Sequence, residues 1–141
     1  MFRSFMKPRH ILTAAAILAA GTLLAGPLCR AAGDDVRPVA TEKLPNVPGK
    51  SITAIVVNYA PGAKSVKHHH AGSVLAYVLS GEVRSENSAT GPAKVYKAGE
   101  TFFEPPGSTH LVSENASTTE PASLLAIFVA DDGARLTVSG E

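Results

Sequence analysis

Three adjacent histidines, His68, His69 and His70, stand in the stretch "KHHHAG" and are the densest group of metal-binding side chains in this chain. A β-strand sends alternate side chains to opposite faces, so His68 and His70 would point one way and His69 the other. Two converging imidazoles need a further ligand. Outside the first thirty residues the remaining histidine is His110, which follows "PPGST", a tight turn that would present it at the head of a strand. Three imidazoles suit one divalent transition metal ion, Fe²⁺, Mn²⁺, Zn²⁺, Ni²⁺ or Cu²⁺, and disfavour Ca²⁺ and Mg²⁺, which prefer oxygen. The competing reading makes "KHHH" a polar strand end with no ligand role, and spacing alone leaves both readings standing.

The elements that would position these residues read as strands. "SITAIVVNY" is rich in β-branched residues, and "SVLAYVLSGEVRS", "AKVYKAG", "ETFFEPPG", "THLVSEN" and "ASLLAIFVAD" continue that character. Turn signals separate them: Pro61-Gly62, Ser80-Gly81, Gly91-Pro92, Ala98-Gly99, Pro106-Gly107 and Asp132-Gly133. No segment sustains a helical period, so the expected fold is all-β, a sandwich or barrel of antiparallel strands. "ENSATGPA" and "ENASTTEPA" read as exposed loops. Residues 32–50, with three prolines and little periodicity, read as an irregular N-terminal arm ahead of a domain spanning residues 51–135.

Residues 1–31 read as a signal peptide. Arg3, Lys7 and Arg9 form a basic head without acids, and an apolar run begins at Ile11, interrupted by Thr13, Gly21 and Thr22. That run falls short of the roughly 20 residues a comfortable bilayer-spanning helix needs, so removal after Ala31 is expected rather than a stable membrane anchor. The mature protein would then be periplasmic or secreted. Cleavage also removes Cys29, the only cysteine, which leaves nitrogen and oxygen as metal donors. Nine basic residues would remain against twelve acidic ones, a formal charge of −3. A mildly acidic chain without basic runs argues against a nucleic-acid partner.

Two motifs in register make the chain resemble the cupin superfamily over Ser51 to Val129. The first motif of that family runs from a glycine through His-x-His and a glutamate to a second glycine; here Gly62, His68, His70 and Gly81 match, while Val74 stands where the glutamate belongs. The second runs from a glycine through Pro-x-Gly to a histidine and an asparagine. Gly99, Pro105, Gly107 and His110 match; Glu114 occupies the asparagine position, with Asn115 one place later. The 17 residues between the motifs suit a minimal member of the family. Gly81 and Gly99 suit turns that need positive φ, and the Pro105-Pro106-Gly107 corner would fix where His110 projects.

The resemblance implies a single jelly-roll barrel with a metal held by His68, His70 and His110. Because Val74 cannot coordinate, two carboxylates are candidates for its missing charge: Glu104, before the proline corner, and Glu114, which strict alternation would place on the face of His110. Ala76, Val78, Phe102, Phe103, Leu125, Ile127 and Phe128 are inward-facing candidates, and Tyr77 and Tyr96 could offer a phenol to a ligand. The resemblance implies a metal-dependent enzyme, an oxygenase or isomerase acting on a small molecule, or else a binding module that holds a small ligand or metal without turnover. It also allows a homodimer formed by sheet-edge exchange, for which "LLAIFVA" is apolar enough.

Overall fold

The structure is a computed structural model and describes residues 34–140. The expected signal peptide lies outside the described residues. Ten strands follow in chain order: β1 (Asp34–Lys43), β2 (Lys50–Tyr59), β3 (His68–His70), β4 (Ser73–Ser80), β5 (Glu82–Asn87), β6 (Gly91–Lys97), β7 (Thr101–Glu104), β8 (Thr109–Asn115), β9 (Ala122–Asp131) and β10 (Thr137–Ser139). They form two five-stranded antiparallel sheets. The first runs β1-β2-β9-β4-β7 and the second β10-β3-β8-β5-β6. The all-β expectation is met, but the sheets do not close on each other, so the architecture is a jelly-roll sandwich rather than a barrel. No helix among the described residues is long and apolar enough to cross a membrane.

The core lies between the sheets and is built by alternation. On β9 the side chains of Ala122, Leu124, Ala126, Phe128 and Ala130 are buried, while those between them face outward. Ala76, Val78 and Phe102 are likewise buried as expected, but Phe103 is exposed and Leu125 and Ile127 lie on the outer face. The apolar run "LLAIFVA" carries no polar residue to mark its phase, which is why composition could not sort Leu125 and Ile127, and Phe103 sits beside Phe102 with the same ambiguity. Phe128, Val74, Val78 and Val83 are the largest side chains fully shielded from water, each contributing on the order of 2 kcal/mol through burial. The outer face of the first sheet leaves Leu75, Tyr77, Leu79, Phe103 and Val129 exposed.

Two boundaries differ from the sequence reading. The arm expected to be irregular over 32–50 is largely β1, an edge strand paired along its length with β2, from Asp34 opposite Tyr59 to Lys43 opposite Ser51. Pro38 lies next to a register shift on this edge, where its missing N–H disturbs little of the ladder. At the other end the fold continues past residue 135, because β10 pairs with β3 and sets Thr137 opposite His70 and Ser139 opposite His68. Gly81 and Gly99 do adopt positive φ, 67° and 90°.

Candidate metal centre

The register brings the histidines together before any side chain is considered. His68 on β3 lies directly opposite His110 on β8. His68 and His70 share the inner face and are buried, whereas His69 faces the other way and is half-buried. The ring centroids of His68 stand 4.8 Å from His70 and 5.0 Å from His110, and one nitrogen of each ring lies within 4.8 Å of the others. The proline corner also behaves as its residues suggest. Gly107, at φ 72°, donates its N–H to the His70 carbonyl at 3.0 Å, tying the turn before β8 to β3.

Hydrogen bonds select the tautomers. His68 Nδ1 lies 2.7 Å from the Val66 carbonyl and His70 Nδ1 3.0 Å from the Leu136 carbonyl; a carbonyl only accepts, so both rings carry their proton on Nδ1. Their Nε2 lone pairs are left for the interior. This is the second-sphere arrangement that orients imidazoles for a metal ion. His110 is engaged at both nitrogens, with Nδ1 3.0 Å from Glu104 Oε2 and Nε2 2.8 Å from Ser85 Oγ. The ionised carboxylate accepts from Nδ1, so the Ser85 hydroxyl donates to Nε2, a bond that ligation through that nitrogen would replace. Phe128 packs edge-on against His70 and Phe102 against His110, so the centre has apolar walls.

Of the two candidate carboxylates the structure brings one to the histidines. Glu104 is 3% exposed, and its Oε2 lies 3.7 Å from His70 Nε2 as well as 3.0 Å from His110. Asn87 Nδ2 donates to the same oxygen at 3.3 Å. Burial by itself would raise the Glu104 carboxyl, but the hydrogen bond from His110 and the electrostatic attraction of the three histidines around it outweigh burial, holding the group below its usual range. Burial pushes His70 down, against the opposing pull of Glu104 and the Leu136 carbonyl. An ionised carboxylate beside a neutral imidazole is the state that can accept a cation.

Glu114 does not join them. Between Asn87, opposite His110, and Glu86, opposite Val112, the ladder skips Leu111, so β8 carries a β-bulge. The extra residue reverses the alternation. Ser113 and Asn115 turn inward, and Glu114 faces out, 3.6 Å from Arg84 Nε. Asn115 serves the fold: its amide donates to the Ala60 and Glu120 carbonyls and its oxygen accepts from the Ser117 N–H.

The histidines open onto a cavity of about 340 Å³ lined by both sheets. Its walls include Ile55, Val57, Val74, Ala76, Phe102, Leu124, Ala126 and Phe128, and its rim includes Asp34 and Val36 of β1 and Thr137 and Ser139 of β10. Tyr77 and Tyr96 are not among the lining residues; the phenol that reaches the cavity is Tyr59, 3% exposed. Sequence reasoning passed over Tyr59, Ser85, Asn87 and Ser113 because their partners are remote in the chain. In the structure Ser85, Asn87 and Ser113 stand out as buried polar residues at alternating positions of β5 and β8, and Tyr59 as a buried phenol at the end of β2.

Two packed antiparallel sheets with three inward imidazoles on facing strands define a jelly-roll protein of the cupin type. The chain belongs to the cupin domain family, whose model matches residues 55–128. It is 32% identical over 100 residues to germin-like protein subfamily 2 member 2 of Arabidopsis thaliana, a match covering 68% of this chain and 45% of that protein. Oxalate decarboxylase of Bacillus subtilis, which has Mn(II) centres, superposes with a TM-score of 0.53 at 30% identity over 62% of this chain and 23% of its own. The DMSP lyase DddQ of Ruegeria pomeroyi superposes with a TM-score of 0.54 over 64% of this chain and 45% of its own; at 22% identity it shows the fold alone. The chain spans less than half the length of each of these relatives.

Proposed function

We propose that this is an exported, metal-dependent cupin enzyme acting on a small molecule, with one divalent transition metal ion held by His68, His70 and His110 and a charge-balancing carboxylate from Glu104. The observation that carries this reading is the pair of Nδ1-to-carbonyl bonds that leave the Nε2 atoms of His68 and His70 facing the ring of His110 beside a buried carboxylate. Nothing in the interior other than a cation accounts so simply for three imidazoles and a carboxylate gathered within apolar walls. Export rests on the leader-like residues 1–31.

A metal bound there supplies Lewis acidity toward a chelating oxygen or a site for dioxygen. The chain's own residues do the rest. His110 and Asn87 hold Glu104 at a fixed place, from which its carboxylate can accept a proton from a bound molecule, and the cavity walls exclude water from an apolar body. The relatives support a metal-dependent reaction without choosing one, since an oxalate decarboxylase and a DMSP lyase share the fold.

The binding-module reading is favoured by one observation: Glu104 is the sole carboxylate among the lining residues that touches the histidines, so no second acid or base is positioned for catalysis. Tag-free protein recovered from the periplasm and measured for metal by mass spectrometry, then for turnover of small phenols, thiols and keto acids with an oxygen electrode and by product analysis, separates the two. Metal with turnover that His110→Ala abolishes supports the enzyme; metal without turnover of any substrate supports the module; protein that takes up no metal refutes the enzyme and leaves only a module for a small ligand.

A further inference from the structure

A second set of polar groups lines the same cavity away from the histidines, and the metal centre does not use it. Asp34, Ser65, Tyr59 and Ser113 form one hydrogen-bonded chain. Ser65 Oγ donates to Asp34 Oδ2 at 2.7 Å, Tyr59 Oη lies 3.1 Å from Ser65 Oγ, and Ser113 Oγ lies 2.7 Å from Tyr59 Oη. All four residues line the cavity. Three distant segments contribute them: the start of β1, the end of β2 with the loop beyond it, and the middle of β8.

The terminal carboxylate fixes the direction of every bond in this chain. Asp34 can only accept, so the single hydroxyl proton of Ser65 is committed to it. Ser65 must then accept from Tyr59, and Tyr59 from Ser113. Burial raises the Tyr59 hydroxyl above its ordinary range, its hydrogen bonds with Ser113 and Ser65 opposing, so the phenol keeps its proton and the sequence of donors stays intact. The last member, Ser113, has spent its proton and has lone pairs left. A chain ending in a carboxylate therefore offers the cavity an acceptor.

The two polar ends stand a definite distance apart. His110 and Ser113 are three residues apart on β8, and the bulge at Leu111 keeps both facing inward, so they lie at most about 10 Å apart along the strand at its usual rise. Much of the rest of the cavity wall, Val57, Leu124, Ala126 and Phe102 among others, is apolar. No lysine or arginine is found among the lining residues, while Asp34 adds negative charge at the rim.

We infer that Ser113, Tyr59, Ser65 and Asp34 form a tail-recognition subsite for a hydrogen-bond donor, a hydroxyl or an ammonium, on a small molecule whose other end chelates the metal. This deepens the proposed function and rests on it. The substrate class is thus a short, bifunctional molecule with a chelating oxygen head, an apolar spacer and a donor tail. A dicarboxylate is disfavoured, because its second carboxylate would meet lone pairs and no cation.

Acyl hydroxamates of one chain length test this. Binding of butyryl, γ-hydroxybutyryl, γ-aminobutyryl and succinyl monohydroxamates to the zinc-loaded mature protein is measured by titration calorimetry, with acetohydroxamate as the head-only reference. The hydroxyl- and ammonium-tailed probes should bind about tenfold more tightly than the butyryl probe, and the succinyl probe more weakly than all. Ser113→Ala should abolish that preference. Asp34→Asn, at an exposed position that leaves the core intact, lets the hydrogen-bonded chain run in either direction and should reduce the preference to within about threefold of even. Equal binding of all four probes to the unaltered protein, or a preference that survives both substitutions, overturns the subsite while binding of acetohydroxamate leaves the metal reading in place. Failure of acetohydroxamate and all four probes to bind overturns both.

Discussion

Val74 and Glu104 face each other across the β4–β7 ladder, so a carboxylate stands on the neighbouring strand at the same level of the sheet as the motif position that Val74 occupies. Residues directly opposite in an antiparallel pair have Cβ atoms about 5 Å apart, near enough for a glutamate side chain to reach the same region from either strand. Val74 is fully buried and Glu104 is 3% exposed, so a carboxylate on each would set like charges together without water. Glu104→Gln is expected to weaken metal binding by about 10- to 100-fold. Val74→Glu alone should destabilise the protein, and Val74→Glu combined with Glu104→Val should recover metal affinity relative to Glu104→Val. Competition titration with a chelating dye reads the affinities, and thermal unfolding reads the stability.

The opposite faces of β3 give a second prediction. His70→Ala should lose the bound metal, while His69→Ala should retain it, since His69 lies outside the cluster. Metal held at about a hundred times its dissociation constant stabilises the fold by about 2.7 kcal/mol, so chelation should lower the melting temperature of the unaltered protein and of His69→Ala but leave His70→Ala unchanged.

The metal-free protein should lose stability in acid in two stages. His70 has a folded value below the ordinary 6.5, so below that pH the unfolded chain binds more protons and stability declines as the pH falls through the folded value. Glu104, held below its ordinary 4.5, adds a second loss at lower pH. Urea unfolding from neutral pH down to about pH 2 should show a midpoint that falls in both stages, and Glu104→Gln should remove the lower one.

At the end of β8 the bulge separates two neighbours of unequal weight. Asn115→Ala removes three part-buried hydrogen bonds between a buried amide side chain and the backbone and should cost about 3 kcal/mol. Glu114→Ala removes one solvent-exposed ion pair to Arg84 and should change stability by less than about 1 kcal/mol. Chemical denaturation of the two variants under one set of conditions decides between this assignment and one in which Glu114 points inward.

What the sequence disclosed follows from what is local. Strand alternation separates His69 from His68 and His70, and a stiff corner of two prolines and a glycine aims His110; both effects operate within a few residues. Glu114 was misplaced because a single extra residue at Leu111 inverts every later side chain, and nothing in "THLVSEN" marks it. The prolines of residues 32–50 argue against a strand, yet only Pro38 falls within β1, whose pairing is dictated by the free edge of β2. Ser85, Asn87, Ser113 and Tyr59 escaped notice for a related reason: a hydroxyl or amide becomes informative only when its partner, tens of residues away, is known.

Asp34 and Ser139 stand close to the two ends of the described chain, and both border the cavity opening. The Leu136 carbonyl that orients His70 lies immediately before β10. An affinity tag of consecutive histidines fused beyond β10 would deliver foreign imidazoles to the entrance and compete for whatever cation enters. Purification handles are better inserted at the exposed Pro45–Pro48 turn between β1 and β2, whose residues do not line the cavity.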